Sequence, residues 1–209
     1  MARSMAAQEE SGVTDGPPSP FRVTVCGLNE LVALEAAGVT HVLSILDPGW
    51  PEPEPLRGFA VHRRLKLHFH DVIEAQPGWT APQRWDVDLL LAFGRDVAAA
   101  RDERPGSHLL VHCHAGVSRS TAAAILILAQ QRPDRRADEA VAEIARLRPR
   151  AWPNLRIIEL GDAALGRRGE IVLAARAQYR RVLAREPELA EVMIGSGRGR
   201  EVAAAVGRD

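Results

Sequence analysis

Apolar positions along the chain follow two periodicities. Phe21–Cys26 (FRVTVC) alternates and is β-branched, the pattern of a first strand. His41–Leu46 (HVLSIL) is a continuous apolar run of the buried-strand type, stopped by the turn chemistry of Asp47-Pro48-Gly49. Phe59–His70 contains a third strand with Leu65, Leu67 and Phe69 on one face, and Leu109–Val111 reads as a fourth. Helical spacing marks Leu28–Ala37, closed by Gly38. It also marks Gln83–Ala100, where Trp85, Leu89, Phe93 and Val97 recur every fourth residue as the core-facing stripe. Thr121–Gln131, Asp138–Leu147, Leu155–Leu165 and Glu170–Arg185 are four further helical stretches.

Strands alternating with helices, followed by a helical C-terminal half, predict an α/β fold with a central, mostly parallel sheet flanked by helices. Residues 1–20, rich in Gln, Glu, Ser, Gly and Pro, read as a disordered leader. Residues 21–185 form the domain, and residues 186–209 are expected to be a helical or flexible tail, loosely held around Gly195–Gly199. A chain of 209 residues is long enough to bury a sizeable core.

Charge narrows the partners. Acidic and basic residues balance at 27 each, so nothing global points to nucleic acid or to an anionic membrane surface. Lys66 is the only lysine among many arginines and alanines, the composition of a GC-rich, bacterial genome. The two cysteines, Cys26 and Cys113, form no disulfide framework and suit a reducing cytoplasm. No secretory leader is apparent, and no apolar run approaches the roughly 20 residues of a membrane span.

The chemistry concentrates in Leu109–Thr121, LLVHCHAGVSRST. A buried strand ends at a cysteine, and a loop leads from it to a helix N-terminus. Backbone N–H groups of such a loop can converge into an anion nest, with the helix dipole adding positive potential. Gly116 lets the loop curl. Arg119 can grip two oxygens of a tetrahedral oxyanion with its planar fork. The same field stabilises a thiolate at Cys113 and makes it a nucleophile.

His112-Cys113, Gly116, Arg119 and Ser120, a His-Cys-x5-Arg-Ser loop in strand–loop–helix context, resemble the phosphate-binding loop of cysteine-dependent protein-tyrosine and dual-specificity phosphatases. The resemblance extends over roughly residues 21–165. It implies that Cys113 attacks phosphorus to form a phosphocysteine. Arg119 and the amides of His114, Ala115, Gly116, Val117 and Ser118 would hold the phosphoryl oxygens. Asp71, on a loop after an upstream strand, would protonate the leaving group and then serve as base for water, with Glu74 the alternative. Asp86 and Asp88 fall in a helix and read as surface charges. Ser120 would assist thiolate release, and His112 would orient the loop and support the thiolate. Asn154, in the segment Arg148–Asn154, is an N-cap or a brace for the loop, and Arg150 a surface arginine. No metal and no cofactor are implied. The substrate class is a phosphorylated protein or a small phosphomonoester. The loop lacks the lysines of relatives that favour phosphoinositides.

Other readings remain open from sequence. His68 with His70, and His112 with His114, form His-x-His pairs suited to a metal. A rhodanese-like sulfurtransferase also holds a cysteine in a nest of amides, and a non-catalytic phosphate-binding module would need the same loop. Cys26 is either a buried small hydrophobe or a redox partner of Cys113. Trp50, Trp79 and Trp152 are candidates for an aromatic entrance.

Overall fold

A computed structural model of the chain describes residues 21–60, 63–103 and 106–207. The leader expected over residues 1–20 lies outside them. Strands β1 (Arg22–Cys26), β2 (His41–Leu46), β3 (Arg63–His68) and β4 (His108–His112) form one sheet in the order β1-β4-β2-β3. Every neighbouring pair is parallel. Parallel pairing requires crossovers, and the one leading into β4 is α1 (Arg84–Glu103). Helices α2 (Arg119–Gln131), α3 (Ala137–Leu147), α4 (Leu155–Leu165), α5 (Glu170–Leu183), α6 (Leu189–Gly195) and α7 (Gly199–Ala205) follow β4. The fold is therefore α/β with a central parallel sheet and a helical C-terminal half.

The apolar run of β4 follows from its central place: all five residues are buried. Register brings Cys26 and Ser44 opposite His112 and Leu46 opposite His68. The residues just beyond these strand ends, Asp47, Asp71 and Cys113, thus leave the same carboxyl edge of the sheet, where open α/β sheets bind ligands. The main core lies between the sheet and the helices, and Ala122–Ala129 of α2 is buried throughout. A smaller cluster of Cys26, Leu31, Val39, Val42, Leu56, Phe59 and Leu110 covers the other face.

Three expectations change. Leu28–Ala37 is not a regular helix but two 3-10 turns, Leu28–Glu30 and Val32–Leu34. Its start is tied to the neighbouring loop by Leu28 N–H donating to His114 O at 2.9 Å, and only Leu31 is fully buried. In α1, Trp85 and Leu89 are 65% and 50% exposed, whereas Val87, Leu90, Leu91, Phe93 and Val97 are buried. A repeat of four drifts about 40° per step on a helix of 3.6 residues per turn, so the stripe that starts at Val97 leaves the core by Leu89.

The third change concerns residues 186–207, which are not loosely held. Helix α7 packs on α5, and Glu201, Val202, Ala204 and Ala205 are buried. Among the described residues, no helix is long and apolar enough to cross a membrane.

Candidate active site

The loop between β4 and α2 is shaped from outside by donors that take its carbonyls. His114 O accepts from Leu28 N at 2.9 Å. Ala115 O and Gly116 O accept from the Arg148 guanidinium at 3.3 and 3.2 Å. Val117 O accepts from Trp152 N at 2.9 Å and from Thr121 Oγ1 at 2.6 Å. Ser118 O accepts from Asn154 N, Thr121 Oγ1 and Ala122 N. In a trans peptide the N–H points opposite to the preceding C=O. Five carbonyls drawn outward therefore turn the amides of residues 115–119 inward, which makes the anion nest. Gly116 permits the curl: its φ is +70°, and a Cβ there would lie 2.5 Å from the Cys26 carbonyl carbon and the Gly27 nitrogen. Gly27 is its counterpart, since a Cβ on it would stand 2.9 Å from the Ala115 carbonyl carbon.

Cys113 sits at the floor of this nest, 2% exposed. Its Sγ accepts from Gly116 N–H at 3.3 Å and lies 3.1 Å from Ser120 Oγ. Ser120 is thus placed to donate to the sulfur. The His112 ring bonds to a neighbouring strand. Its Nε2 pairs with Ser44 Oγ at 2.6 Å, which pins β4 to β2. Burial pushes the His112 imidazole down to about 4, and the nearby Arg64 adds to the effect, so the ring is neutral at pH 7. A neutral His112 ring thus ties the end of β4 to β2.

Arg119 is 3% exposed. Its Nη1 donates to Asp47 Oδ1 at 2.6 Å and to Phe69 O at 2.7 Å. Both Nη1 protons are thereby taken, while Nε is buried without a partner among the described residues. A buried, unpaired guanidinium N–H is costly unless a ligand accepts from it, so the geometry suits an oxyanion. Asp47 was absent from the candidates drawn from sequence. There it reads as a turn residue, and the signal that pairs it with Arg119, the common edge of β2 and β4, exists only in the sheet.

His114 lies at the loop rim. Its Nε2 accepts from Asp47 N–H at 3.3 Å, and its ring meets Trp50 edge-on at a centroid distance of 4.3 Å. Burial, with the Arg119 charge, holds the His114 imidazole below its ordinary value despite Asp47 and Asp71 nearby. A neutral ring with Nε2 as acceptor fits both facts. Trp50 is 44% exposed and borders the site, whereas Trp152 is buried and stacked on Tyr179 at 4.6 Å. Trp79 packs on His70 at 4.7 Å.

Asp71 reaches the loop. Its Oδ1 accepts from Ser118 Oγ at 2.7 Å and from Asn154 Nδ2 at 2.8 Å, and lies 3.4 Å from Arg198 Nη1. No hydrogen bond is made to Oδ2 among the described residues, so one oxygen is anchored and the other is open. Glu74 faces elsewhere, with Oε1 bound by Arg200 Nε at 2.9 Å. Asn154 does both things open to it: Oδ1 caps α4 by accepting from Ile157 N at 3.1 Å, and Nδ2 holds Asp71 and Val72 O. Asp86 caps Gln83 N–H, Asp88 pairs with Arg84, and Arg150 pairs with Glu186 on the surface.

The rival residues are engaged otherwise. His70 Nδ1 accepts from Thr80 N at 2.8 Å, and His68 Nδ1 lies 3.5 Å from Asp47 O. Among the described residues no three His, Cys, Asp or Glu side chains converge on a metal position. Cys26 is buried, and burial with the Glu30 charge pushes its thiol up to about 12. It packs as a small hydrophobe, not as a thiolate. Arg148, Arg198 and Glu201 are site residues that sequence reasoning missed. Each acts over a long sequence separation, and arginine and glutamate carry no local signature of such a role.

No family model matches the chain. Human protein phosphatase Slingshot homolog 3 is 32% identical over 127 residues, 59% of this chain; the match spans only 16% of that protein's length. Two solved phosphatases share the fold at low identity. The Yvh1 phosphatase domain from Chaetomium thermophilum aligns with TM-score 0.50 and 21% identity, covering 74% of this chain and 95% of that domain. Human DUSP28 aligns with TM-score 0.50 and 17% identity, covering 69% of this chain and 94% of its own. The chain thus has the α/β fold of these phosphatases, with its His-Cys-x5-Arg-Ser loop at the carboxyl end of the central strand β4.

Proposed function

We propose that this protein is a cysteine-dependent phosphatase that hydrolyses phosphomonoesters, phosphotyrosyl protein first among them, through a phosphocysteine intermediate. The observation that carries the reading is the nest itself: Cys113 Sγ beneath inward-turned amides, with the unpaired Nε of Arg119 buried beside them. Sγ attacks phosphorus, the bond to the ester oxygen breaks, and Asp71 Oδ2 gives that oxygen its proton. Water then attacks the phosphocysteine, Asp71 takes the proton, and Cys113 leaves as thiolate with Ser120 Oγ donating to it. The amides and Arg119 act most strongly on the equatorial oxygens as charge gathers there in the transition state. No metal or cofactor enters these steps.

A protein substrate is supported by the likeness to human Slingshot homolog 3, a protein phosphatase. Trp50 and His114 at the rim offer an aromatic edge to a phosphotyrosine ring. Phosphoserine and phosphothreonine are the extension a shallower approach would allow. Two free cysteines and an arginine-dominated composition fit a bacterial cytoplasm. The test is hydrolysis of a small aryl phosphate with excess EDTA. Activity is expected to survive the chelator and to fall at least about a thousandfold in Cys113→Ser. Loss with EDTA, or retention in the serine variant, overturns the reading. Sulfur transfer from thiosulfate to cyanide would instead favour the sulfurtransferase. Phosphate binding without turnover would favour the non-catalytic module.

A further inference from the structure

The chain's C-terminal segment reaches back to the loop that bears the acid. Arg198 is 7% exposed, and its guanidinium is fixed by two bonds to Glu201: Nε to Oε2 at 2.8 Å and Nη2 to Oε1 at 2.7 Å. Glu201, with no exposed surface, is held in turn by Trp152 Nε1 at 2.6 Å and Leu155 N at 2.9 Å. Those two donors flank Asn154, the residue that grips Asp71. The third arm of Arg198, Nη1, is left to meet Asp71 Oδ1 at 3.4 Å.

Two further contacts fall on the same loop. Arg200 binds Glu74 Oε1 at 2.9 Å and reaches Ile73 O at 3.5 Å, while its Nη groups are anchored on Glu159 of α4. Gly197 backs onto Gln76, whose Nε2 lies 3.1 Å from where a Cβ would stand. Residues 71, 73, 74 and 76 are therefore each met by residues 197, 198 or 200.

A buried arginine whose fork is locked on a buried carboxylate is a rigid object, because the planar guanidinium loses its freedom once two arms are bound. Burying such a pair is expensive and is weak evidence for stability alone. Here the pair also sets where the third arm points. We propose that Gly197–Glu201 is a clamp on the Asp71–Gln76 loop, with Arg198 the positioning residue that holds Asp71 over the catalytic loop. This rests on the phosphatase reading for its consequence, since the clamp then serves the step in which Asp71 protonates the leaving oxygen. Arg198 meets Asp71 at Oδ1, the oxygen that Ser118 and Asn154 also hold, so it fixes the carboxyl through its anchored oxygen. Helices α6 and α7 are accordingly part of the catalytic unit.

The test compares full-length wild type, Arg198→Met, Arg198→Lys and Arg200→Gln on two substrates. Hydrolysis of 2,4-dinitrophenyl phosphate needs little help from an acid, whereas phenyl phosphate needs a proton on its leaving oxygen. Arg198→Met is expected to lose about tenfold to a hundredfold in kcat on phenyl phosphate, a part of what a general acid contributes, and less than about threefold on the activated ester. Arg198→Lys should recover part of the loss. Arg200→Gln, altered at a half-exposed side chain, should shift the ratio in the same direction and secures the test if Arg198→Met fails to fold. Amide hydrogen exchange over residues 71–76 should quicken in the variants while residues 113–119 keep their protection. Equal losses on both esters, or unchanged exchange over 71–76, overturn the clamp. If wild type shows no Cys113-dependent hydrolysis, the phosphatase reading fails, and exchange alone decides whether the segment clamps the loop.

Discussion

Asp47 Oδ1 accepts from Arg119 Nη1 at 2.6 Å, across 72 residues of sequence. The bond, with Phe69 O on the same nitrogen, fixes the guanidinium and leaves its Nε buried without a partner among the described residues. Replacing Asp47 with Leu frees the fork to rotate and is expected to lower kcat/KM for an aryl phosphate about tenfold, the scale of losing one charge-assisted hydrogen bond. Asp47→Asn keeps an acceptor and should lose less. Inorganic vanadate affinity should fall in parallel, because the oxyanion meets the same arginine. An unchanged vanadate affinity in Asp47→Leu would count against this role.

Asp71 and Glu74 are separated by their partners. Asp71 is bound to Ser118 of the catalytic loop, and Glu74 to Arg200. Asp71→Asn is therefore expected to cost about a hundredfold or more on phenyl phosphate. Glu74→Gln should stay within about threefold. Steady-state rates of the two variants check both, and a reversed ranking would move the acid to Glu74.

Arg148 holds two carbonyls of the loop and is itself paired with Glu30 at 2.7 Å. Without it, Ala115 O and Gly116 O lose their outside donor and the amides behind them lose their direction. Arg148→Met is predicted to weaken oxyanion binding by about 1 to 3 kcal/mol, the usual cost of unpaired polar groups at a tight site. Calorimetric binding of inorganic phosphate or vanadate measures it, and native affinity would contradict it.

The buried imidazole of His112 makes stability depend on pH. Its folded value of about 4 lies below the 6.5 of an unfolded histidine. Between those values the unfolded chain binds the extra proton and the folded chain does not. Stability is thus full above pH 6.5 and falls as pH drops toward 4, by about 3 kcal/mol for this group. The urea midpoint should decline over that window in wild type and decline less in His112→Asn. Parallel declines in the two proteins would exclude His112 as the source. Burial displaces His108 in the same direction, so some acid sensitivity should persist in the variant.

What the sequence determined by itself is local. Strand β4 and the loop after it were legible because a continuous apolar run, a glycine and Cys-x5-Arg are neighbours in the chain. The α/β class followed from two hydrophobic periodicities, which report burial one element at a time. The apolar stripe of α1 is less legible for a related reason: a spacing of four gives a direction only to within a drift that packing resolves, leaving Trp85 outside and Val87 inside.

Tertiary structure alone decided how the site is held. Asp47, Arg148, Arg198 and Glu201 are ordinary surface types in sequence, and apart from the Arg198–Glu201 pair the partners that give them their roles lie 32 to 127 residues away. Asp47 meets Arg119 because β2 and β4 pair in parallel, and Arg198 meets Asp71 because α7 packs on α5. A charged side chain has no hydrophobic period to betray its neighbours. Its partner is fixed by which backbone ends converge, and that convergence belongs to the fold.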